Sequence, residues 1–332
     1  MKKISLVLLM VLLLSSCSPT KTLKSQTRID LLDTVITISS YEDIPDEVFE
    51  LIHELELKLS IHHVNSEISA INRMSGVESI IVSPVTYDLI SKAIEISKCS
   101  NGAFNPAMGA LSNLWKIGTE NARKPADSEI GTALELIDFN DIELREGNSV
   151  FLRKSGMAID LGAIAKGYIC DAVANYLVNQ GIERVVLDFG GDVYLIGQKN
   201  NVSDWIVGVQ SPIIGEDSYI FTLSASNISV VTSGNYERFF EQDGEIFHHI
   251  LDPNTGYPVD NNLVSVTIIS ENTTEADAIA TACFVLGVDD GLKLIAQLPG
   301  IEGIFVTNNR EIYASPETRV KIQLSDNSFV LK

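Results

Sequence analysis

Two oxygen-bearing side chains stand one turn apart in an otherwise apolar run, 276-ADAIATACFVLG-287. On a helix, residues i and i+4 share a face, so Asp277 and Thr281 project together. A carboxylate, a hydroxyl and a nearby carbonyl make a hard-oxygen site of the kind Mg²⁺ takes, completed by water or phosphate. A purely structural account competes with it: Thr274 as N-cap with Asp277 three residues on, and Thr281 bonding back to the 277 carbonyl. A second candidate is Lys166 in 160-DLGAIAKGYICDAV-173, at the entrance to a helix between Gly162 and Gly167. Free amides and a point charge there suit an anion, although the sequence is not a P-loop and a glycine-assisted turn with a solvent-facing Lys reads equally well. Gly190-Gly191-Asp192, just after an apolar run, lets backbone approach a ligand or simply turns a hairpin. His249 lies before the turn Asp252-Pro253-Asn254-Thr255-Gly256, and Ser233-Gly234 reads as a second turn. His249 is either a proton carrier or a hydrogen-bonded structural residue. His248, on the other face, is the weaker candidate. There is no GxGxxG fingerprint and no zincin HExxH.

The elements that must position these residues mix helix and strand without βαβ alternation, which predicts an α+β fold. Residues 27–41 read as one strand. Residues 46–59 read as a helix with Val48, Phe49, Ile52, Leu55 and Leu59 on one stripe. Pro84 opens another, with Leu89, Ala93, Ile96 and Cys99 inward, closed near Asn101-Gly102. Residues 118–130 read as a loop. A helix of about 165–180 ends at Gly181. Strands follow near 185–187, 193–197, 204–210, 218–223 and 228–232. Asp243-Gly244 predicts a two-residue hairpin turn that pairs 242 with 245 and sets Arg238 opposite His249. Strand 263–269 leads into the Asp277 helix, then a helix at 289–297 and two short strands.

The chain has 332 residues and a formal charge of −20. That charge argues against nucleic acid as a partner, since phosphate contacts need a basic face. Any anionic ligand must meet a local inversion of sign. Lys2 and Lys3 followed by the apolar Ile4–Leu14 read as an export signal, too short for the roughly 20 residues of a bilayer crossing. Leu14-Ser15-Ser16-Cys17 has the form of a lipobox. Residues 1–16 are then a signal peptide, Cys17 the lipidated first residue, 17–27 a tether and 28–332 a single domain. Two lysines leave with the signal, so 22 basic against 44 acidic side chains give −22. The expectation is an exported bacterial lipoprotein held at a membrane surface. Cys99, Cys170 and Cys283 read as buried thiols, with no CxxC among them.

Taken in order, these stretches resemble the ApbE family of FAD:protein FMN transferases. The resemblance runs through Ser66-Glu67-Ile68-Ser69 with Asn72, Gly102-Ala103-Phe104-Asn105-Pro106 with Gly109 and Leu114-Trp115, and Asp160–Tyr168 with Asp171. It continues through Gly190-Gly191-Asp192, Thr232-Ser233-Gly234-Asn235-Tyr236, His249–Pro253 with Thr255-Gly256, and Ala276-Asp277-Ala278 with Thr281. It implies an ApbE-like, T-fold-related α+β domain with two lobes around a flavin cleft. It implies Mg²⁺ on Asp277, Thr281 and the Ala163 carbonyl. FAD contacts are implied at Ser60, Ser66, Asn105, Lys166, Gly190, Gly191, Asp192, Ser233, Gly234 and His249. Asn105 stands where the family often has Asp, and Leu32-Asp33-Thr34 where it often has Met-Gly-Thr. The implied reaction passes the FMN half of FAD to a threonine hydroxyl of an acceptor redox protein and releases AMP. Lys166 and His249 are the expected catalytic pair, His249 taking the threonine proton, with Asp252 or Asp192 as substitutes. The same site could give FMN and AMP by hydrolysis, or the chain could carry FAD without catalysis. A thiamine-pathway role has no residue here to support it.

Overall fold

The computed structural model describes residues 22–212, 218–316 and 318–332. The expected signal segment and Cys17 lie outside the described residues. The chain opens on a hairpin, β1 (Lys24–Leu31) and β2 (Thr34–Ser40). A long excursion follows: α1 (Glu47–Leu59), α2 (Glu67–Arg73), β3 (Ile80–Ile81), α3 (Pro84–Cys99), α4 (Gly109–Trp115), α5 (Asp127–Leu134), β4 (Ile142–Arg145), β5 (Ser149–Leu152) and α6 (Gly162–Asn179). Then come β6 (Val185–Phe189), β7 (Asp192–Ile196), β8 (Trp205–Gln210), β9 (Tyr219–Ala225) and β10 (Ile228–Gly234). A ribbon of β11 (Phe239–Gln242) and β12 (Glu245–His248) precedes β13 (Leu263–Ser270). Last are α7 (Thr273–Ile295), β14 (Glu302–Thr307), β15 (Glu311–Ala314), β16 (Lys321–Leu324) and β17 (Val330–Leu331).

Nine strands make the main sheet, in the order β1-β2-β6-β7-β10-β13-β14-β15-β17. Its neighbours are antiparallel except β15 and β17. Alternation sorts its side chains onto two faces. Val231, Val266, Ile268 and Phe305 join the core under α1, α3, α6 and α7. Val230, Ile269, Ile304 and Val306 join a second core, shared with the three-stranded sheet β16-β9-β8. The architecture is a mixed α+β fold in layers, as the unalternating pattern predicts. Among the described residues no helix is long and apolar enough to cross a membrane.

Several elements depart from the sequence expectation. The segment 27–41 is two strands, because Leu32 (φ 56°) and Asp33 (φ 51°) turn the chain without a glycine to announce it. Strand β1 also begins at Lys24, inside the expected tether. Ser233-Gly234 is no turn: both pair with β13, as Ser233↔Val266 and Gly234↔Ser265. The loop at 118–130 ends early, at α5. Cys99 is exposed, since the buried stripe of α3 finishes at Ile96 and Ser97, while Cys170 and Cys283 are buried thiols as expected. Four strands follow α7 rather than two. That helix is continuous from 273 to 295 except at Gly287 (φ 77°), which divides it where the sequence suggested two helices.

A satellite core joins α4, α5 and the β11–β12 ribbon. Trp115 is its centre, fully buried and packed against Phe247 and Tyr257 at 5.5 and 5.8 Å between ring centroids. Its indole N–H donates to the Gly256 carbonyl at 2.8 Å, which fixes the turn after His249. Trp115→Phe keeps most of the apolar volume but strips a buried carbonyl of its donor. It should lower unfolding free energy by about 1–3 kcal/mol in chemical denaturation.

Candidate active site

The helices α6 and α7 cross at a glycine. A Cβ at Gly167 would lie 2.3 Å from the Thr273 carbonyl oxygen and 2.9 Å from the Asp277 Cβ. Only a residue without a side chain lets the two backbones approach so closely. At that crossing the Gly167 amide donates to Asp277 Oδ2 at 3.0 Å. Within a regular helix this amide would go to the carbonyl four residues back, which is Ala163. Ala163 is the one non-helical residue of α6 (φ −93°, ψ 16°). The Asp277 carboxylate thus takes the donor that a regular helix would direct to the Ala163 carbonyl.

Asp277 is not a cap. Asn272 caps α7 by accepting from the Glu275 amide at 2.8 Å. The first-turn donors go to Asp171, which accepts from Thr273 N, Thr274 N and Thr274 Oγ1 at 3.0, 2.8 and 2.6 Å. With those donors satisfied, Asp277 is free to face the seam. It is 3% exposed, and Thr281, one turn on, is half-buried.

Lys166 lies over the same point. Its ammonium is 2.6 Å from Asp192 Oδ2 and 3.7 Å from Asp277 Oδ1. Burial would lower its pKa, but Asp192, Asp277 and Glu237 together raise it. Asp192 is 1% exposed, and its Oδ1 has no hydrogen-bond partner. Burial, with Asp277 nearby, lifts its carboxyl well above the usual range against the pull of Lys166. Burial likewise pushes Glu237 up to about 7, Lys166 opposing it and Asp277 adding to it. Three carboxyl groups stand around one ammonium, and two of them are shifted towards their protonated forms. A divalent cation there would favour their charged forms. Among the described residues no three His, Cys, Asp or Glu side chains cluster as ligands, so such an ion would rest on one carboxylate and neutral oxygens.

The β6–β7 turn closes one side. Gly190 (φ 67°) is forced, since a Cβ there would meet Thr34 Oγ1 at 1.9 Å. On the other side Arg238 reaches from the ribbon to the Asp33 carbonyl at 3.2 Å. His249 N donates to the Arg238 carbonyl at 3.0 Å, and His249 Nδ1 lies 3.2 Å from the same oxygen. A carbonyl only accepts, so Nδ1 carries the proton and Nε2 the lone pair. Burial, then the Arg238 charge, then His248 hold the imidazole down to about 3. The ordinary histidine pKa expected from sequence is therefore not what this site provides.

Other expected contacts are already engaged locally. Ser66 caps α2 by accepting from Ser69 N at 2.9 Å and is 1% exposed. Ser60 Oγ accepts from His62 N at 3.1 Å. Asn105 Oδ1 accepts from Ala107 N at 2.9 Å. Asp252 Oδ1 holds its own turn through Asn254 N at 2.8 Å. The loop holding Asn105 still serves the site: Asp160 N bonds Pro106 O at 2.9 Å, and Asn72 brackets Ile159 through bonds of 2.7 and 2.9 Å. These brace the approach to α6. Lys166, Asp277 and Asp192 come together at the seam, with Ala163 on α6, Thr281 one turn beyond Asp277 on α7, and Gly190-Gly191 on the turn before Asp192. The sequence reading set Arg238 opposite His249, as found, and overlooked Glu237 and the cap by Asp171.

The ApbE family profile matches residues 32–305. The chain is 36% identical over 301 residues to the FAD:protein FMN transferase of Treponema pallidum (strain Nichols), covering 86% of this chain and 83% of that one. It is 39% identical over 289 residues to the FAD:protein FMN transferase of Klebsiella pneumoniae (strain 342), covering 87% and 90%. Two crystal structures superpose well. The ApbE protein from Thermotoga maritima gives a TM-score of 0.79 at 32% identity, covering 92% of this chain and 97% of its own. The flavin transferase ApbE from Vibrio cholerae gives 0.76 at 28%, covering 93% and 98%.

Two outcomes follow from the geometry. Gly167→Ala forces its methyl against the Thr273 carbonyl, so the seam must open and the thermal midpoint should fall by several degrees. His249 is depressed from 6.5 to about 3, so the stability tied to its neutral form is full above pH 6.5 and is lost as pH falls towards 3. His249→Asn, which keeps an N–H donor but cannot charge, should flatten that window in denaturation midpoints measured from pH 3.5 to 7.

Proposed function

The chain belongs to the ApbE family, and on that premise we propose that it is an FAD:protein FMN transferase acting through the α6–α7 seam. The observation that carries this reading is the Gly167–Asp277 contact at the Ala163 kink, with Lys166 directly above it. In the proposed reaction a threonine oxygen of the acceptor protein attacks the phosphorus of the FMN half. The pyrophosphate P–O bond breaks, AMP leaves with that electron pair, and the threonine proton passes to a base. Phosphoryl transfer of this kind depends on positioning and on neutralising charge.

Asp277, Thr281 and the Ala163 carbonyl would hold Mg²⁺, which would supply positive charge to neutralise the pyrophosphate and the departing AMP. Lys166, held by Asp192, presents a fixed ammonium to the same phosphates. The preorganised pair avoids reorganisation at the moment of transfer. His249 Nε2 is the proposed proton acceptor. Its basicity rises when an anionic pyrophosphate sits beside it, because the imidazolium then has a counter-charge. Glu237 is a second proton-holding group in the same cleft. The flavin would lie between the main sheet and the satellite core of α4, α5 and the ribbon. Export and lipidation at Cys17 would place the domain beside membrane redox proteins as acceptors.

Incubating the soluble domain with FAD, Mg²⁺ and a redox-protein domain should leave flavin fluorescence on the denatured acceptor band. Asp277→Ala should cut that labelling by about 10²–10³-fold, and excess chelator should abolish it. Labelling that survives the chelator refutes the metal assignment. FMN and AMP without a labelled band would make the enzyme a hydrolase.

A further inference from the structure

The β11–β12 ribbon has an edge that its neighbours begin to cover and then abandon. Its turn, Asp243 (φ 56°) and Gly244 (φ 81°), sets the register Gln242↔Glu245, Glu241↔Ile246, Phe240↔Phe247 and Phe239↔His248. In an antiparallel pair, hydrogen-bonded and non-bonded positions alternate. A two-residue turn closes on a bonded pair, so 242/245 and 240/247 are bonded, and the 3.0 Å bond from His249 N to Arg238 O continues the series. The N–H and C=O of Ile246 and His248 must therefore point away from β11. Further along this edge the outward groups are taken: Val259 N donates to Ile250 O at 2.9 Å, and Asp252 N to Tyr257 O at 2.8 Å. The bridge Leu251↔Pro258 is antiparallel. This pairing ends at Val259, two residues short of covering 248 and four short of covering 246.

A pocket of about 680 Å³ opens at that edge, lined among others by Tyr236, Phe239, Ile246, His248, Val259 and Asn261. Ile246 is 57% and Phe239 37% exposed. His248 donates through Nε2 to Val259 O at 3.0 Å, and its buried Nδ1 is an acceptor without a partner. Among the described residues nothing pairs with this edge at 246 and 248, and an unpaired edge beside a pocket with Phe239 and Ile246 in its lining is the arrangement that captures an extended segment by strand addition.

We propose that the outer edge of β12 docks an extended segment of the acceptor protein, antiparallel to β12, continuing the pairing that stops at Val259. The proposal rests on the transferase reading above. The acceptor of that reaction is itself a polypeptide, and this edge lies one residue along the chain from His249, whose side chain takes the opposite face of the ribbon. Asp260 stands among the pocket's lining residues, while Glu245, which also lines it, is paired with Lys124 at 3.1 Å. The fitting segment is apolar or small where it meets Phe239 and Ile246, and carries a Lys or Arg where it meets Asp260.

The test separates docking from chemistry. Ile246→Pro removes the outward amide while leaving every bonded position of the ribbon intact, and proline is tolerated on edge strands. A second variant, Phe239→Ser/Ile246→Ser, alters only the exposed face. The probes are FAD alone, read as FMN and AMP release, and a purified redox domain that carries a threonine flavin site. Expected is a fall of about tenfold or more in kcat/KM for labelling the domain, with release from FAD alone unchanged. Equal labelling by wild type and both variants overturns the docking assignment and leaves the transferase reading standing. A wild-type enzyme that releases FMN but labels no domain overturns both. A wild-type dimer in light scattering that Ile246→Pro splits assigns the edge to a second copy and also overturns it.

Discussion

The site depends on one hydrogen bond, from the Gly167 amide to Asp277 Oδ2. It fixes how closely α6 and α7 approach, and hence where every other group lies. Glycine at 167 follows from the approach, since a methyl there would overlap the Thr273 carbonyl. The kink at Ala163 follows from the diverted amide. The cap by Asp171 is the third part of the arrangement. Had Asp277 been needed for the first turn of α7, it could not have reached the neighbouring helix. A buried carboxylate is costly unless it is hydrogen-bonded and paired. Here one oxygen meets an amide and the other faces an ammonium at 3.7 Å.

Around that bond the protein gathers three carboxyl groups about one ammonium. Lys166 meets Asp192 directly and Asp277 at longer range. Glu237 is held near neutrality in pKa by burial and by the same charges. An acidic protein that must handle an acidic substrate faces repulsion across its whole surface. In the proposed reaction a cation at the seam would reverse that locally.

Much of the framework was legible because periodicity records burial. The stripe Val48, Phe49, Ile52, Leu55 and Leu59 gives α1, and Asp243-Gly244 gives the ribbon and its register. The i, i+4 spacing placed Asp277 and Thr281 on one face. It could not decide between ligand and cap, because that depends on Asp171, more than a hundred residues away in sequence. The Leu32-Asp33 turn was hidden because it holds positive φ without glycine or asparagine. Short helices such as α2 and α4 offer too few turns for a stripe. Ser66 and Asn105 were marked by family resemblance, and their side chains accept from the backbone amides of Ser69 and Ala107. Glu237 has no local signature, since its raised pKa is a property of the assembled cleft.

His249 shows how the assembled cleft changes the chemistry that a residue type suggests. A free imidazole is half-protonated near pH 6.5 and would be a ready base. Buried beside Arg238 it is held neutral, with the proton fixed on Nδ1 by the Arg238 carbonyl and the lone pair fixed on Nε2. In the proposed reaction such a base would stay unprotonated until substrate arrives, and would gain basicity when phosphate oxygens supply a counter-charge. Arg238 couples the two conditions: its carbonyl sets the tautomer, its guanidinium depresses the imidazole, and its bond to Asp33 ties both to the β1–β2 turn. The ribbon, the first hairpin and the histidine are thereby joined through one residue, Arg238.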